Sequence, residues 1–538
     1  MTGAARRGID VAMNRRGAAP GVWVKWWHGW IVAGLLAAGC APSPMMLPRA
    51  RQRTIDRRIV EYPAGFVLQP YIVGLSAPSA FCFDDAKNLI IAEAGIDGAD
   101  PRILGFHPDG SRFNIYPVET RIPIVKPGFR IYGPVSGLLC FNGRIYVTHR
   151  DENDMGVITS FGYDGSHFTL QAGLPAQGDY GVTDMVMGLD GRLYFGLGAT
   201  TNSGVVGLDN WEEGWVRKHP DACDLPYLSI KLLGYRFEAK NPLASIWAPS
   251  TTETVPFQPF GDSYITRIPP AAFAKPTGAI FSILPGGGDL HVVAWGVRNP
   301  AGLAVNQFGG IYFNDQGAEP RGTRPIGGRN GQGDPDVLFH LVPDAWYGWP
   351  DYSRSLEPLS DDKFQPPEWM LLSTRYPDVG FIIDHQASKL ADPSTQRRWW
   401  VAAEFKPLSG ASKMVFVPSS GPFQQYQGKL LVALWGDRAP FATNHIPLRS
   451  PLPGYKVVLV DTDHGDVKDF IFNTAGGPAG NLAIGSDQGL ERPIDLKFGP
   501  EGNLYILDFG RMRMKEGREQ VGDGSGKIFR CLPASLPH

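Results

Sequence analysis

Apolar and polar positions alternate with a period of two at six separated places along the chain. Each place holds two short apolar runs joined by a turn rich in Gly, Asp or Asn. The pairs are 81–83 with 89–93, 139–143 with 145–148, 185–187 with 193–195, 303–305 with 311–313, 414–417 with 430–433, and 496–498 with 504–507. Such pairs predict antiparallel hairpins, each supplying two strands of a four-stranded sheet. Six copies predict an all-β chain, a six-bladed β-propeller with long inter-blade loops over residues 61–533. A β-sandwich array is the rival architecture, but the copies resemble one another more than sandwich strands do. A lone blade cannot bury both of its faces, so ring closure must stabilise the fold. The last apolar run, Lys527-Ile528-Phe529-Arg530, is expected to pair with the first blade and lock the ring.

The copies are unevenly spaced. Residues 207–290 and 345–412 form two long stretches with Pro and aromatic residues, such as Pro256-Phe257-Gln258-Pro259. Long aromatic loops in compact domains pack over one face, and these are expected to roof a pocket.

Residues 1–40 have a different character. Arg6-Arg7, Arg15-Arg16 and Lys25 precede the apolar residues 30–39 and then Cys40. A run of about ten residues suits the core of a signal peptide and is short for a bilayer of about 30 Å. Ala37-Ala38-Gly39-Cys40 resembles the lipobox of bacterial lipoproteins, with Ala37 where leucine is commoner. The resemblance implies diacylation of Cys40, export, and attachment to a membrane through a lipid anchor facing the periplasm or cell exterior. An ordinary cleaved signal and an uncleaved anchor are the alternatives. Residues 41–60, rich in Pro and Arg, are expected to be a tether.

Composition narrows the partners. Among 538 residues the formal net charge is -2, without a long basic run, so there is no field to hold a phosphate backbone and nucleic acid is excluded. Apart from Cys40, the cysteines are Cys82, Cys140, Cys223 and Cys531, an even number that allows three disulfide connectivities in an exported chain. Cys82 and Cys140 occupy matching places in successive copies and are expected to be small buried hydrophobes. His219 and Cys223 lack a second ligand pair for zinc. The acidic stretch 461–466 is expected to be an exposed hairpin turn.

Candidate chemistry centres on Arg298 and Asn299, which precede Pro300 and an apolar run, and so stand at a strand mouth. A guanidinium fork beside a carboxamide suits an oxygen-rich ligand. Residues 295–303, 314–318, 321–326 and 346–350 resemble the soluble glucose/sorbosone dehydrogenase family, as do 191–207, 491–495 and 507–510. That family carries pyrroloquinoline quinone (PQQ) and calcium on the axis of a six-bladed propeller. The resemblance implies oxidation of a sugar or related aldehyde, with hydride passing to the quinone and on to an external electron acceptor. It places Arg298 and Asn299 against the cofactor, and Arg438 as a second cofactor-facing arginine. It also places the backbone carbonyls of Gln316 and Gly317, with Ala318 beside them, at the calcium corner.

Two departures matter. Ala301 stands where the soluble glucose enzymes carry glutamine, and the family's histidine base falls at Tyr180 or Gly181. Tyr180, with an ordinary pKa of about 10, is a poor base unless Arg298 or calcium lowers it. Asp179 and Asp184 are substitutes, whereas His167 and His219 lie in the wrong parts of the repeat. The first functional expectation is therefore a PQQ-dependent sugar dehydrogenase with Tyr180 and Arg298 as catalytic residues. The alternative is a non-catalytic propeller lipoprotein that binds a glycan or a protein. A calcium-dependent lactone hydrolase is disfavoured by the Arg298-Asn299 and Arg321-Gly322 pattern.

Overall fold

The computed structural model describes residues 43–117, 129–262, 270–327, 333–367, 379–437, 452–481, 488–515 and 518–534. Each of the six alternating pairs forms the first two strands of an antiparallel sheet of at least four strands. Blade 1 comprises Pro78–Phe83, Leu89–Glu93, Arg102–Phe106 and Arg112–Tyr116. Blades 2 to 6 begin with inner strands Leu138–Phe141, Val182–Met187, Gly302–Val305, Ala411–Phe416 and Pro493–Phe498. The protein is a six-bladed propeller.

Ring closure differs from the expected pairing. Gly526–Pro533 is the third strand of blade 6, beside Leu504–Asp508, and its other edge takes Phe66–Leu75 in the register Leu68↔Cys531 and Leu75↔Gly526. The two ends of the propeller thus meet within blade 6, and Phe66–Leu75 then leads straight into blade 1. Residues 43–60, expected to be a tether, lie on the rim: Met45–Met46 pairs with Ile72 and Val73, and Val60–Glu61 pairs with Phe472 and Asn473 of blade 5. Buried Ile55 and Val60 supply the apolar contact that the Pro- and Arg-rich composition concealed.

The hydrophobic core is divided among the six blade interfaces. Cys82 and Ile90 of blade 1 pack with Ile145 and Val147 of blade 2. Ala304 and Leu338 of blade 4 pack with Met414 and Val432 of blade 5, and Phe81 of blade 1 closes the circle against Tyr505 and Leu507 of blade 6. Every blade therefore depends on both neighbours, as the alternation required. Near the axis the inner strands come so close that a Cβ on Gly302 would lie 2.3 Å from the Ser412 carbonyl oxygen.

Cys82 and Cys140 form a disulfide, with Cα atoms 5.9 Å apart, rather than serving only as packing residues. Matching places on neighbouring inner strands bring the two thiols together. Cys223 and the buried Cys531 are free.

The long stretches interrupt individual blades. Residues 198–278 separate the second and third strands of blade 3 and contain the short helices Leu208–Glu213 and Trp215–Lys218 and a ribbon, Phe237–Lys240 with Thr251–Thr254. Residues 341–400 do the same between the third and fourth strands of blade 4. The two insertions pack together, Leu232 bridging to Ile383. Among the described residues no helix is long and apolar enough to cross a membrane.

Candidate functional site

Acidic residues that end second strands shape the mouth, the end of the ring where the inner strands begin. The Asp315 carboxylate accepts the backbone N–H of Arg298 at 3.0 Å and of Asn299 at 2.6 Å. Asp508 does the same for Glu491 at 2.7 Å and Arg492 at 3.2 Å, and Glu93 accepts Ser76 N–H at 2.8 Å. Each acid fixes the residues just ahead of its blade's inner strand. Gly296 makes the turn into Arg298 possible: its φ is +72°, and a Cβ there would lie 2.2 Å from the Trp346 ring.

Arg298 lies at the mouth, but its side chain is only 1% exposed. Nε donates to the Asn202 carbonyl at 3.1 Å, Nη1 to the Gln316 carbonyl at 3.3 Å, and Nη2 to Asn202 Oδ1 at 2.6 Å and to the Tyr180 hydroxyl. The guanidinium also stacks on Tyr180, 4.7 Å from the ring centroid, with Glu319 3.7 Å away. Four of its five N–H donors are therefore spent inside the protein. Burial raises the Tyr180 pKa well above the ordinary phenol value, outweighing the opposing pull of Arg298. Tyr180 is thus a hydrogen-bond partner of Arg298 and a worse base than a free tyrosine.

The substitute bases are also engaged. Asp179 accepts Trp215 Nε1 at 2.7 Å, Asn210 Nδ2 at 2.9 Å and Arg321 Nη2 at 2.7 Å. Arg321 is further paired with Asp209 at 2.6 Å and Glu319 at 2.8 Å. Asp184 is buried below the mouth, where its carboxylate accepts Leu303 N–H at 3.2 Å. His219 is bound to Asp154 at 2.6 Å and Gln177 at 3.2 Å. His167 is exposed on the outer strand His167–Leu174 of blade 2, its ring centroid 4.3 Å from that of Phe129.

Asn299 is half-buried and donates to Gln316 Oε1 at 2.8 Å, while Gln316 Nε2 donates to the Ala411 carbonyl at 2.8 Å. The Gln316 carbonyl faces Arg298, so a cation there would meet a fixed positive charge. Gly317 N–H donates to Asp336 at 3.0 Å, and burial pushes the Asp336 carboxyl up to about 7. Among the described residues no group of three His, Cys, Asp or Glu side chains could hold a metal ion. Residues 461–466 close the hairpin between Lys456–Asp461 and Asp466–Asn473, and Arg438 and Cys40 lie outside the described residues.

Several site residues carried no role in the sequence. Asn202 anchors Arg298 and donates to the Glu319 carbonyl at 2.8 Å. Arg492 stacks on Trp435, 4.1 Å from the ring centroid, and donates to the Asp437 carbonyl at 3.2 Å. For Arg492 the acid ending the second strand, Asp508, was the available signal, because it marks the residues it pins in the same blade; Asn202 had no such mark. Lys413 gave no signal: it extends from the inner strand of blade 5 to the carbonyls of Ser79 in blade 1 at 2.5 Å and Ser136 in blade 2 at 2.6 Å. Asp184 and Asp495 attract it, so buried charge stoppers the axis below the mouth.

The mouth has two chemical halves. Blades 3 and 4 contribute Tyr180, Asn299, Gln316 and Glu319, all half-buried. Blades 5, 6 and 1 contribute an apolar cluster of Phe509, Ala77 and Ala94, against which half-exposed Trp435, Ile494 and Ile96 pack. The fold and site define a closed six-bladed propeller with an amphipathic axial mouth, which resembles the soluble glucose/sorbosone dehydrogenases.

No family model matches the chain, and no curated protein does. Similar solved structures include the holo PQQ domain of pyranose dehydrogenase from Coprinopsis cinerea, at 16% identity over 89% of this chain and 98% of that one, TM-score 0.47. A putative glucose dehydrogenase from Thermus thermophilus matches at 16% identity over 87% and 100%, TM-score 0.45. The PQQ-bound aldose sugar dehydrogenase of Streptomyces coelicolor matches at 13% identity over 87% and 99%, TM-score 0.42.

Proposed function

We propose that the mouth binds a neutral, hydroxyl-rich small molecule of the sugar class and that this chain does not carry out quinone-linked oxidation. The observation that carries this reading is the pairing of Arg298 with Tyr180 and Asn202, which makes Tyr180 a poor base and leaves Arg298 without a free guanidinium fork. A sugar presents C–H faces and hydroxyl edges, matching an apolar half with Trp435 and a polar half with Asn299 and Gln316. PQQ, a tricarboxylate quinone, and calcium do not fit these residues as they are arranged. Arg298 and Arg321 are outnumbered by Asp179, Asp209 and Glu319, and the Gln316 carbonyl is already taken by Arg298. An anionic cofactor would have to displace Asn202 and Tyr180 from Arg298 and add its charge to that excess.

The PQQ-dependent sugar dehydrogenase, passing electrons to an external acceptor, is the second reading. It is favoured by the ordered series of motifs from 191 to 510 and by the position of Arg298 and Asn299 at the axial mouth. Export and lipidation of Cys40 are proposed for either reading, supported by the Cys82–Cys140 bridge, since such bonds persist in oxidising compartments.

Binding is tested by titrating the full chain with a panel of aldoses and their lactones and following heat or ligand NMR line broadening. At least one sugar is expected to bind the wild type and to lose 10-fold or more in affinity with Asn299→Ala or Trp435→Ala. A panel with no binder, or binding indifferent to both substitutions, overturns the reading.

A further inference from the structure

The ribbon in the blade 3 insertion ends in a tip that the mouth does not use. Its ten residues, 241–250, contain no charge. Leu243, Ile246 and Trp247 are 65%, 89% and 91% exposed. Nearer the base of the ribbon, Tyr235 and Phe237 are packed on the core that holds Ile382 and Ile383, and the other large apolar side chains exposed in the insertion, Leu228, Leu233 and Phe273, are each less than half exposed. Nor is the tip a loose loop: Asn241 Nδ2 donates to the Pro249 carbonyl at 2.9 Å, Leu243 N–H to Asn241 Oδ1 at 2.9 Å, and Trp247 N–H to Ser245 Oγ at 3.1 Å. A turn locked by its own side chains holds three large apolar groups in water.

We propose that this tip docks on a lipid bilayer, with Leu243, Ile246 and Trp247 seated in the interfacial zone. An uncharged tip lets the backbone approach that zone, and tryptophan is the side chain most suited to it. Exposed Lys240, the residue next to the tip, can meet anionic headgroups. The insertion departs at the mouth end, because Leu197 pairs with Val182, the first residue of the blade 3 inner strand. A second copy of the chain is the rival occupant: two tips meeting face to face would bury at most about 1,200 Å² in all, the low end of a stable interface, and the measurement without lipid distinguishes it. Docking in this way turns the mouth toward the membrane, so its ligand is exchanged at the lipid surface.

The test places a fluorescent amino acid at position 247 of the full chain, and in a separate sample at position 308. Phe308, 83% exposed, sits in the turn after the blade 4 inner strand, at the opposite end of the ring. Each protein is mixed with phosphatidylcholine–phosphatidylglycerol vesicles carrying nitroxide-labelled lipid. Quenching at 247 is expected to exceed that at 308 several-fold, and Ile246→Ser in the 247-labelled chain is expected to halve it. Equal quenching at both positions, or no association with vesicles, overturns the proposal. A concentration-dependent change at 247 without lipid also overturns it, in favour of a second copy as the occupant.

Discussion

The Tyr180 hydroxyl accepts a hydrogen bond from Nη2 of Arg298, and the same guanidinium stacks 4.7 Å from the Tyr180 ring centroid. One residue thus takes from the other both a donor and a face. The phenol joins Asn202 in holding the guanidinium in the wall of the mouth.

Tyr180→Phe removes one acceptor and keeps the ring, so the Arg298 Nη2 donor keeps only Asn202 Oδ1. The expected loss is about 1–3 kcal/mol in chemical denaturation, the cost of a buried charged donor left short of a partner. An unchanged midpoint and slope would mean that the hydroxyl contributes nothing to holding Arg298.

Asn202→Ala goes further, because the carboxamide both accepts from Arg298 at 2.6 Å and donates to the Glu319 carbonyl at 2.8 Å. The expected cost is about 3 kcal/mol. The double variant Asn202→Ala/Tyr180→Phe should deviate from additivity by more than about 0.5 kcal/mol, since both residues serve one guanidinium. Strict additivity would argue against a shared network.

The Cys82–Cys140 bridge joins the inner strands of blades 1 and 2 across 58 residues of chain. Replacing both cysteines with serine is expected to cost about 2–5 kcal/mol and to lower the melting temperature. The same melting temperature for oxidised wild type and the double serine variant would contradict a stabilising bridge.

Asp336 accepts Ala411 N–H at 2.8 Å and Gly317 N–H at 3.0 Å, yet burial pushes its carboxyl from 3.8 up to about 7. The folded chain therefore holds this proton more tightly than the unfolded chain does. Its contribution to stability is fully present below about pH 4 and is lost as the pH rises through about 7, by roughly 4 kcal/mol at most. Thermal melts between pH 4 and 8 should show less of this decline in Asp336→Asn than in the wild type. Parallel curves for the two proteins would remove Asp336 as the source.

Much of the fold was legible because ring closure imposes one pattern six times. Inner strands such as Pro78–Phe83 and Pro493–Phe498 are buried between neighbours, and their short apolar runs recur in the sequence with a turn and a second apolar strand after each. The pairing of Phe66–Leu75 with Gly526–Pro533 was not legible, because strand patterning says nothing about which distant edge a strand joins. The rim contacts of residues 43–60 escaped for a similar reason: two-residue strands leave no period to read.

The site was legible in position but not in state. Motif order brought Arg298, Asn299, Gln316 and Gly317 to one corner, and the structure places them there together. What the motif could not convey is that Asn202 and Tyr180 occupy the guanidinium, since that depends on contacts about 100 residues apart in the chain, the sequence separations being 96 and 118. Lys413 was invisible for the same reason, its partners lying 334 and 277 residues away.

The most direct measurement is titration of the purified full chain with pyrroloquinoline quinone and calcium, read by quinone absorbance and by sugar-dependent reduction of an artificial dye. With Arg298 held by Tyr180 and Asn202, the expected result is no stoichiometric quinone uptake and dye reduction at background for every sugar tested. Uptake of one quinone per chain with sugar-dependent dye reduction would contradict it, and would show that Arg298 leaves its internal partners to serve a dehydrogenase.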